Sequence, residues 1–149
     1  MDDTWVVVAD AATARIFATD AEMGALSEVT VIPHAASRAK TSEIVTDQPG
    51  RTAYGASRSG MAKGDPHELE EIRAAHLLAA YLDEAHIHHK FRDLVLVASP
   101  VFLGRLRGEL GRQTQKAVTA AVDRDYTTKP RDEIRKLVKA RLQEQPLPR

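Results

Sequence analysis

The feature that most constrains the fold is a short, unbroken apolar run in the second half of the chain. Residues 94–98 read Leu-Val-Leu-Val-Ala, and a run this short and β-branched predicts a strand buried on both faces. Ser99 can cap a following helix, and Pro100 suits its first turn, where the missing N–H is not needed. Apolar residues then recur at helical spacing as far as residue 110. A strand without a solvent face needs layers above and below it, which the rest of the chain must supply.

The first third of the chain predicts three more strands. Trp5–Ala9 is a second β-rich apolar run and should also be a central strand. Arg15–Thr19 is the next strand, and apolar residues between 26 and 32 form another that stops near Pro33. Asp20–Ala25 has the composition of a hairpin loop. Connections this short require neighbouring strands to run antiparallel, so we expect a meander.

Helical patterns follow in the second half. The longest predicted helix runs from His67 to about Lys90, and a second follows the strand at 94–98. Lys116–Asp123 fits a strand or a helix by periodicity, and its place after a strand–helix pair favours a strand. A last helix begins at Pro130. The apolar sides of the longest and last helices are Leu69, Ile72, Ala75, Leu78, Ala79 and Leu82, and Ile134, Leu137, Val138 and Leu142.

The predicted order of elements is β-β-β-α-β-α-β-α, which defines an α/β class. Right-handed crossovers place the fourth strand beside the first and the fifth strand outside it. The sequence therefore predicts a mixed five-stranded sheet of order 3-2-1-4-5 with helices on both faces, the three-layer arrangement of an RNase H-like fold. A chain of 149 residues is expected to form one domain over residues 1–149.

Residues from about 35 to 65 show no periodicity and are rich in glycine, serine, threonine and basic residues. A loop this long inside a compact domain is usually functional or disordered, and we predict that it is mobile. Pro49 and Gly50 have the chemistry of a tight turn, with Asp47 and Arg51 placed to brace it by an ion pair.

Composition excludes several classes of protein. The chain has no cysteine, so disulfides, a thiol nucleophile and a cysteine-ligated metal are excluded. No apolar run approaches the roughly 20 residues of a membrane span, and the acidic N-terminus lacks the positive charge of a signal peptide. We therefore predict a cytoplasmic protein with no membrane partner.

No complete catalytic or metal-binding constellation is present in the sequence. Asp10 lies near the end of the first strand, where it could cap a turn or form an ion pair with Arg15. The fourth strand is followed by Ser99 rather than by a carboxylate. A two-metal nuclease needs several converging carboxylates. His86 and His89 have a spacing that could bind zinc, yet no further ligand motif completes a site. The sequence contains neither of two glycine-rich phosphate-binding motifs, GxGxxG and the P-loop pattern. We predict no catalytic residue, no metal and no cofactor.

Three motifs suggest a family. WVVVADAATARIF at residues 5–17, DQPGR at 47–51 and LVLVASPVFLGRLRGEL at 94–110 resemble the bacterial host-attachment protein family, named for a protein required for attachment to host cells. That family usually has arginine where this chain has Gln48. It is similar to the central domain of archaeal and eukaryotic class I release factors and Pelota. Release-factor domains carry a Gly-Gly-Gln tripeptide before their long helix, which assists peptidyl-tRNA hydrolysis. Residues 59–64, SGMAKG, contain no such tripeptide, which argues against peptide release.

Together these observations predict a non-enzymatic binding protein that contacts RNA or the ribosome through the basic, mobile loop at about residues 35–65. The predicted nucleic-acid-binding residues are Arg38, Lys40, Arg51, Arg58 and Lys63 in the loop, and Arg105, Arg107, Arg112 and Lys116 after it. Tyr54 is the one loop residue that could stack on a base, so sequence-specific reading is not expected. One alternative is a protein-interaction factor that influences cell attachment, and a weaker one is a hydrolase of peptidyl-tRNA or nucleic acid. The oligomeric state is left open.

Overall fold

The computed structural model describes residues 2–33 and 66–144. Its strands are β1 (Thr4–Ala9), β2 (Thr13–Thr19), β3 (Ser27–Pro33), β4 (Asp93–Val97) and β5 (Val118–Val122). Its helices are α1 (Pro66–Ile87), α2 (Pro100–Glu109), α3 (Arg112–Ala117) and α4 (Arg131–Glu144). The predicted mobile loop lies outside the described residues. Among those that are described, none belongs to a helix both long and apolar enough to cross a membrane.

The five strands form one mixed sheet in the order β3-β2-β1-β4-β5. Antiparallel pairing joins β1 to β2 and β2 to β3, whereas β1 with β4 and β4 with β5 are parallel. The two unbroken apolar runs are direct neighbours, with Val6 opposite Val95 and Val7 opposite Leu96. All six residues of β1 are buried. The predicted strand order, and the central position of both runs, are confirmed.

Alternate side chains of the central strands enter two separate cores, one on each face of the sheet. Val7 and Leu96 belong to the core under α1 and α2, which also contains Leu82 and Phe102. Val6 and Val97 belong to the core under α4, with Ile134 and Val138 of that helix. Because each face of the sheet is covered by helices, the predicted three-layer α/β arrangement is confirmed.

The segment before β5 differs from the prediction, which placed a strand over Lys116–Asp123. A short helix, α3, takes residues 112–117, and β5 begins only at Val118. The carboxylate of Asp83 in α1 accepts the N–H of Gly111 at 3.0 Å and the hydroxyl of Thr114. The first bond satisfies the N–H of Gly111, the residue that precedes the helix, and the second holds the side chain of Thr114 in its first turn. The helix therefore starts where α1 supplies an acceptor.

The apolar side assigned to α1 is correct for its central turns but not for its first ones. Leu78 and Leu82 are buried, whereas Leu69 and Ile72 are each 39% exposed. On β3, Val29 and Val31 are also exposed, because β3 lies at the edge of the described sheet.

Candidate functional site

The carboxyl ends of β1 and β4 meet at a point where the chain leaves in opposite directions. After β1 it turns back to β2, and after β4 it passes through α2 and α3 to β5. Open α/β sheets commonly bind ligands at such switch points. A cleft of about 290 Å³ lies here, lined by Asp10, Ala11, Ala12, His67, Glu70, Glu71, Ser99 and Asp125.

Asp10 is held in this cleft by the turn that follows β1. Its Oδ1 accepts the N–H groups of Ala12 at 2.8 Å and Thr13 at 2.9 Å. The prediction of a turn cap is confirmed. The alternative, an ion pair with Arg15, does not form, because that guanidinium donates instead to the carbonyls of Thr127 and Lys129.

Thr127 joins the turn after β1 to the segment after β5. Its hydroxyl lies 3.0 Å from both Asp10 Oδ2 and Asp125 Oδ1, and the residue is only 8% exposed. A hydroxyl has one proton to donate, so the two carboxylates share one donor. Both oxygens of Asp10 are thus engaged in holding the loops together.

The cleft contains the residue types of a hydrolase without an evident reacting group. Ser99 precedes α2 at the N-cap position, as predicted, but its side chain makes no capping hydrogen bond. Within residues 2–33 and 66–144, no group of three or more histidines or carboxylates is placed to hold a metal ion. The lining has four carboxylates, of which Glu71 pairs with Arg105, so the remaining negative charge makes the cleft unfavourable for a phosphate by Coulomb repulsion.

The histidines at the end of α1 have separate neighbours. The ring of His86 packs against Phe91, with centroids 5.3 Å apart. His88 Nε2 lies 3.0 Å from Glu84 Oε2 in an exposed pair. His89 is exposed and adopts a left-handed φ of 56°, which closes the chain reversal after α1.

Arg105 is already occupied by the protein itself. Its Nη2 lies 3.4 Å from Glu68 Oε2, and its Nε lies 3.4 Å from Glu71 Oε1. Both carboxylates belong to the first turns of α1, so this predicted nucleic-acid-binding residue ties α2 to α1. A phosphate would have to compete with them for the guanidinium.

The other three basic residues of this region form what we call the α2–α3 cationic surface: Arg107, Arg112 and Lys116. All three are exposed. The side-chain amide of Gln115 donates to the carbonyls of Arg107 at 3.0 Å and Leu110 at 2.9 Å, which closes the corner between the helices. In the part of the chain that the structure describes, no carboxylate lies within ion-pair distance of these three cations.

The remaining predicted site residues fall where the structure gives no description. Those outside the described residues are Arg38, Lys40, Asp47, Pro49, Gly50, Arg51, Arg58 and Lys63. The bridging role of Thr127 and the role of Asp83 as an acceptor at the start of α3 were not predicted from the sequence. No local pattern marks either, because the partners of Thr127 and Asp83 include residues 117 and 28 positions away.

The fold and these surfaces define a small α/β protein of RNase H-like topology, with an acidic cleft at the strand ends and a cationic surface on α2 and α3. The family model described as "Protein required for attachment to host cells" matches residues 5–138. The chain belongs to this family, as its three motifs indicated. A comparison with curated proteins gave no match.

Proposed function

We propose that this host-attachment family member is a non-enzymatic binding protein whose α2–α3 cationic surface contacts the phosphates of RNA, including ribosomal RNA. The observation that carries the proposal is that Arg107, Arg112 and Lys116 are exposed and lack carboxylate partners among the described residues. Cations in this state release counterions from a nucleic acid when they bind it, which favours association without base recognition.

Further observations support the binding of RNA at the α2–α3 cationic surface, away from the cleft and without catalysis. The cleft at the strand ends is lined by carboxylates, so a polyanion is expected to avoid it. The resemblance to release-factor central domains and Pelota points to the ribosome, and the missing Gly-Gly-Gln tripeptide points to binding without peptide release. The basic residues of the predicted loop would add further phosphate contacts.

A triple variant tests the surface directly. Arg107→Ala, Arg112→Ala and Lys116→Ala together remove three exposed cations. We expect co-sedimentation with purified ribosomes at low salt to weaken by about tenfold, because about three counterion-releasing contacts are lost.

The matched control is the triple variant Arg124→Ala, Lys129→Ala and Arg131→Ala. It also removes two arginines and one lysine, all exposed and, among the described residues, without a carboxylate partner. These residues lie between β5 and the start of α4, and the loss of net charge is identical. Equal weakening by both triples would show that only net charge matters and would contradict a defined RNA-binding surface.

A second candidate is a protein-interaction factor that influences cell attachment. The family description supports it, and five large apolar side chains exposed on α1 favour a protein contact over an RNA contact there. If binding to ribosomes persists at high salt and is not weakened in the Arg107/Arg112/Lys116 alanine triple, this candidate is favoured, because apolar burial is not screened by salt.

A further inference from the structure

The outer side of α1 is unusually apolar for a helix on the surface of a protein. Its inner side packs on the sheet through residues such as Leu78 and Leu82. Large apolar side chains are nevertheless exposed on the same helix: Leu69, Leu77 and Ile87 (66%) on the outer side, and Ile72 and Tyr81 at its margins, where the ring of Tyr81 stacks on Trp5. A helix that covers a sheet on one side normally carries polar residues on the other. The outer side of α1 therefore has the composition of a contact surface.

Part of this outer side has the spacing of a helix–helix seam. The residues Arg73, Leu77, Ala80, Glu84 and Ile87 are separated alternately by four and three positions, and all are exposed. This alternation keeps side chains on one narrow line along a helix, as in paired helices. We call these five residues the α1 seam.

We propose that the α1 seam pairs with the α1 seam of a second copy of this chain, in an antiparallel arrangement about a two-fold axis. The charges on the seam are self-complementary only in that arrangement. Arg73 lies in the first half of α1 and Glu84 in the second. An axis between Leu77 and Ala80 brings Arg73 of each copy opposite Glu84 of the other. A parallel pairing would place like charges together.

Arg73 and Glu84 cannot form an ion pair with each other within one copy of the chain. Eleven positions along a helix correspond to about 16 Å of rise, far beyond an ion pair. Arg73 has no carboxylate within ion-pair distance in residues 2–33 and 66–144. Within the same described ranges, the one ion pair of Glu84 is the exposed contact with His88 of the next turn. Both are available to a second copy, and a two-fold axis makes each contact twice.

The small size of the seam is typical of a weak interface. A helix of 22 residues is about 33 Å long and about 10 Å wide, so one whole side of it covers about 330 Å². This area is smaller than the roughly 800 Å² that each partner buries in a stable interface. We therefore expect a weak dimer that forms reversibly as the concentration of the protein rises.

Sedimentation equilibrium of the full chain, from about 1 μM to about 1 mM, tests this pairing. Wild type should pass from monomer to dimer across that range. Arg73→Glu alone and Glu84→Arg alone should each stay monomeric, because both contacts become repulsive. An equimolar mixture of the two single variants should dimerise, because every contact between the two different copies is then attractive. The double variant should dimerise as wild type does.

Two further controls separate the seam from a general charge effect. Arg124→Glu and Glu22→Arg reverse exposed charges elsewhere and should leave the dimer unchanged. Leu77→Glu should abolish it without any change at the paired charges. A wild type that is monomeric throughout, for instance because another part of its own chain covers α1, would overturn the proposal. So would a dimer that the single charge reversals leave intact, since it would form through another surface.

Discussion

At the scale of single residues, stability is concentrated where a side chain has no route to solvent. Leu96 and Val7 are opposite each other on β4 and β1, and both are 0% exposed. Their strands are covered on both faces, so removing methyl groups there leaves a cavity that the neighbours fill only in part.

Leu96→Ala should therefore lower the free energy of unfolding by about 2–5 kcal/mol. Chemical denaturation of the folded chain measures this change. Val101→Ala is the control, because Val101 is 58% exposed and should shift the value by less than about 0.5 kcal/mol. A midpoint equal to that of wild type for Leu96→Ala would mean that the strand is not buried on both faces.

The hydroxyl group of Thr127 is expected to contribute to the free energy of unfolding. Thr127→Val keeps the shape but removes the donor shared by Asp10 and Asp125, and we expect a loss of about 1 kcal/mol in unfolding free energy. Thr127→Ser retains the hydroxyl and should recover most of that loss. A Thr127→Val variant as stable as wild type would contradict a contribution of the hydroxyl to stability.

At the scale of elements, α1 and α2 share a buried apolar core, and polar contacts along α1 add to their packing. Arg105 of α2 reaches Glu68 and Glu71 near its start, and Asp83 reaches Gly111 and Thr114 near its end. Residues near the start of α1 contact residue 105, and a residue near its end contacts residues 111 and 114. Because both sets of residue numbers increase together, α1 and α2 run parallel. This arrangement fixes where α2 ends and α3 begins, and hence the orientation of the cationic surface.

Asp83→Ala should weaken this junction by about 1 kcal/mol, the typical cost of losing a capping side chain. Hydrogen exchange offers a local measurement, since the amide of Gly111 loses its acceptor and should exchange faster, while amides of β1 should be unaffected. Asp83→Asn, which keeps one acceptor oxygen, should give an intermediate rate. Unchanged exchange at Gly111 in the alanine variant would contradict the capping role.

Elements with a strong pattern of their own were predictable, and those that depend on distant partners were not. Continuous β-branched runs identified β1 and β4, and their shared need for a central position led to the correct strand order. The short helix α3 has only Thr114 and Ala117 buried, so it shows no apolar periodicity. Its start depends on Asp83 in another helix. In the same way, sequence grouped Arg105 with three other cations, and only the fold shows that Glu68 and Glu71 occupy it.

At the scale of the whole molecule, the net charge is zero, but the described residues include one cleft rich in carboxylates and one group of exposed cations. Carboxylates line the cleft at the carboxyl ends of the strands, where α1 and α2 begin. Arg107, Arg112 and Lys116, which have no carboxylate partner among the described residues, lie at the other end of α2 and on α3. A polyanion that approaches this molecule is therefore attracted to one region and repelled from another.

The salt dependence of RNA binding tests this account most directly. We would measure the affinity for a single-stranded RNA between about 50 and 200 mM salt for wild type, the Arg107/Arg112/Lys116 alanine triple and the Arg124/Lys129/Arg131 alanine triple. We predict that the slope of log affinity against log salt becomes shallower by about 2 in the first triple, the value for three lost phosphate contacts, and is unchanged in the second. A slope equal to wild type in the first triple would contradict the claim that the α2–α3 cationic surface binds RNA.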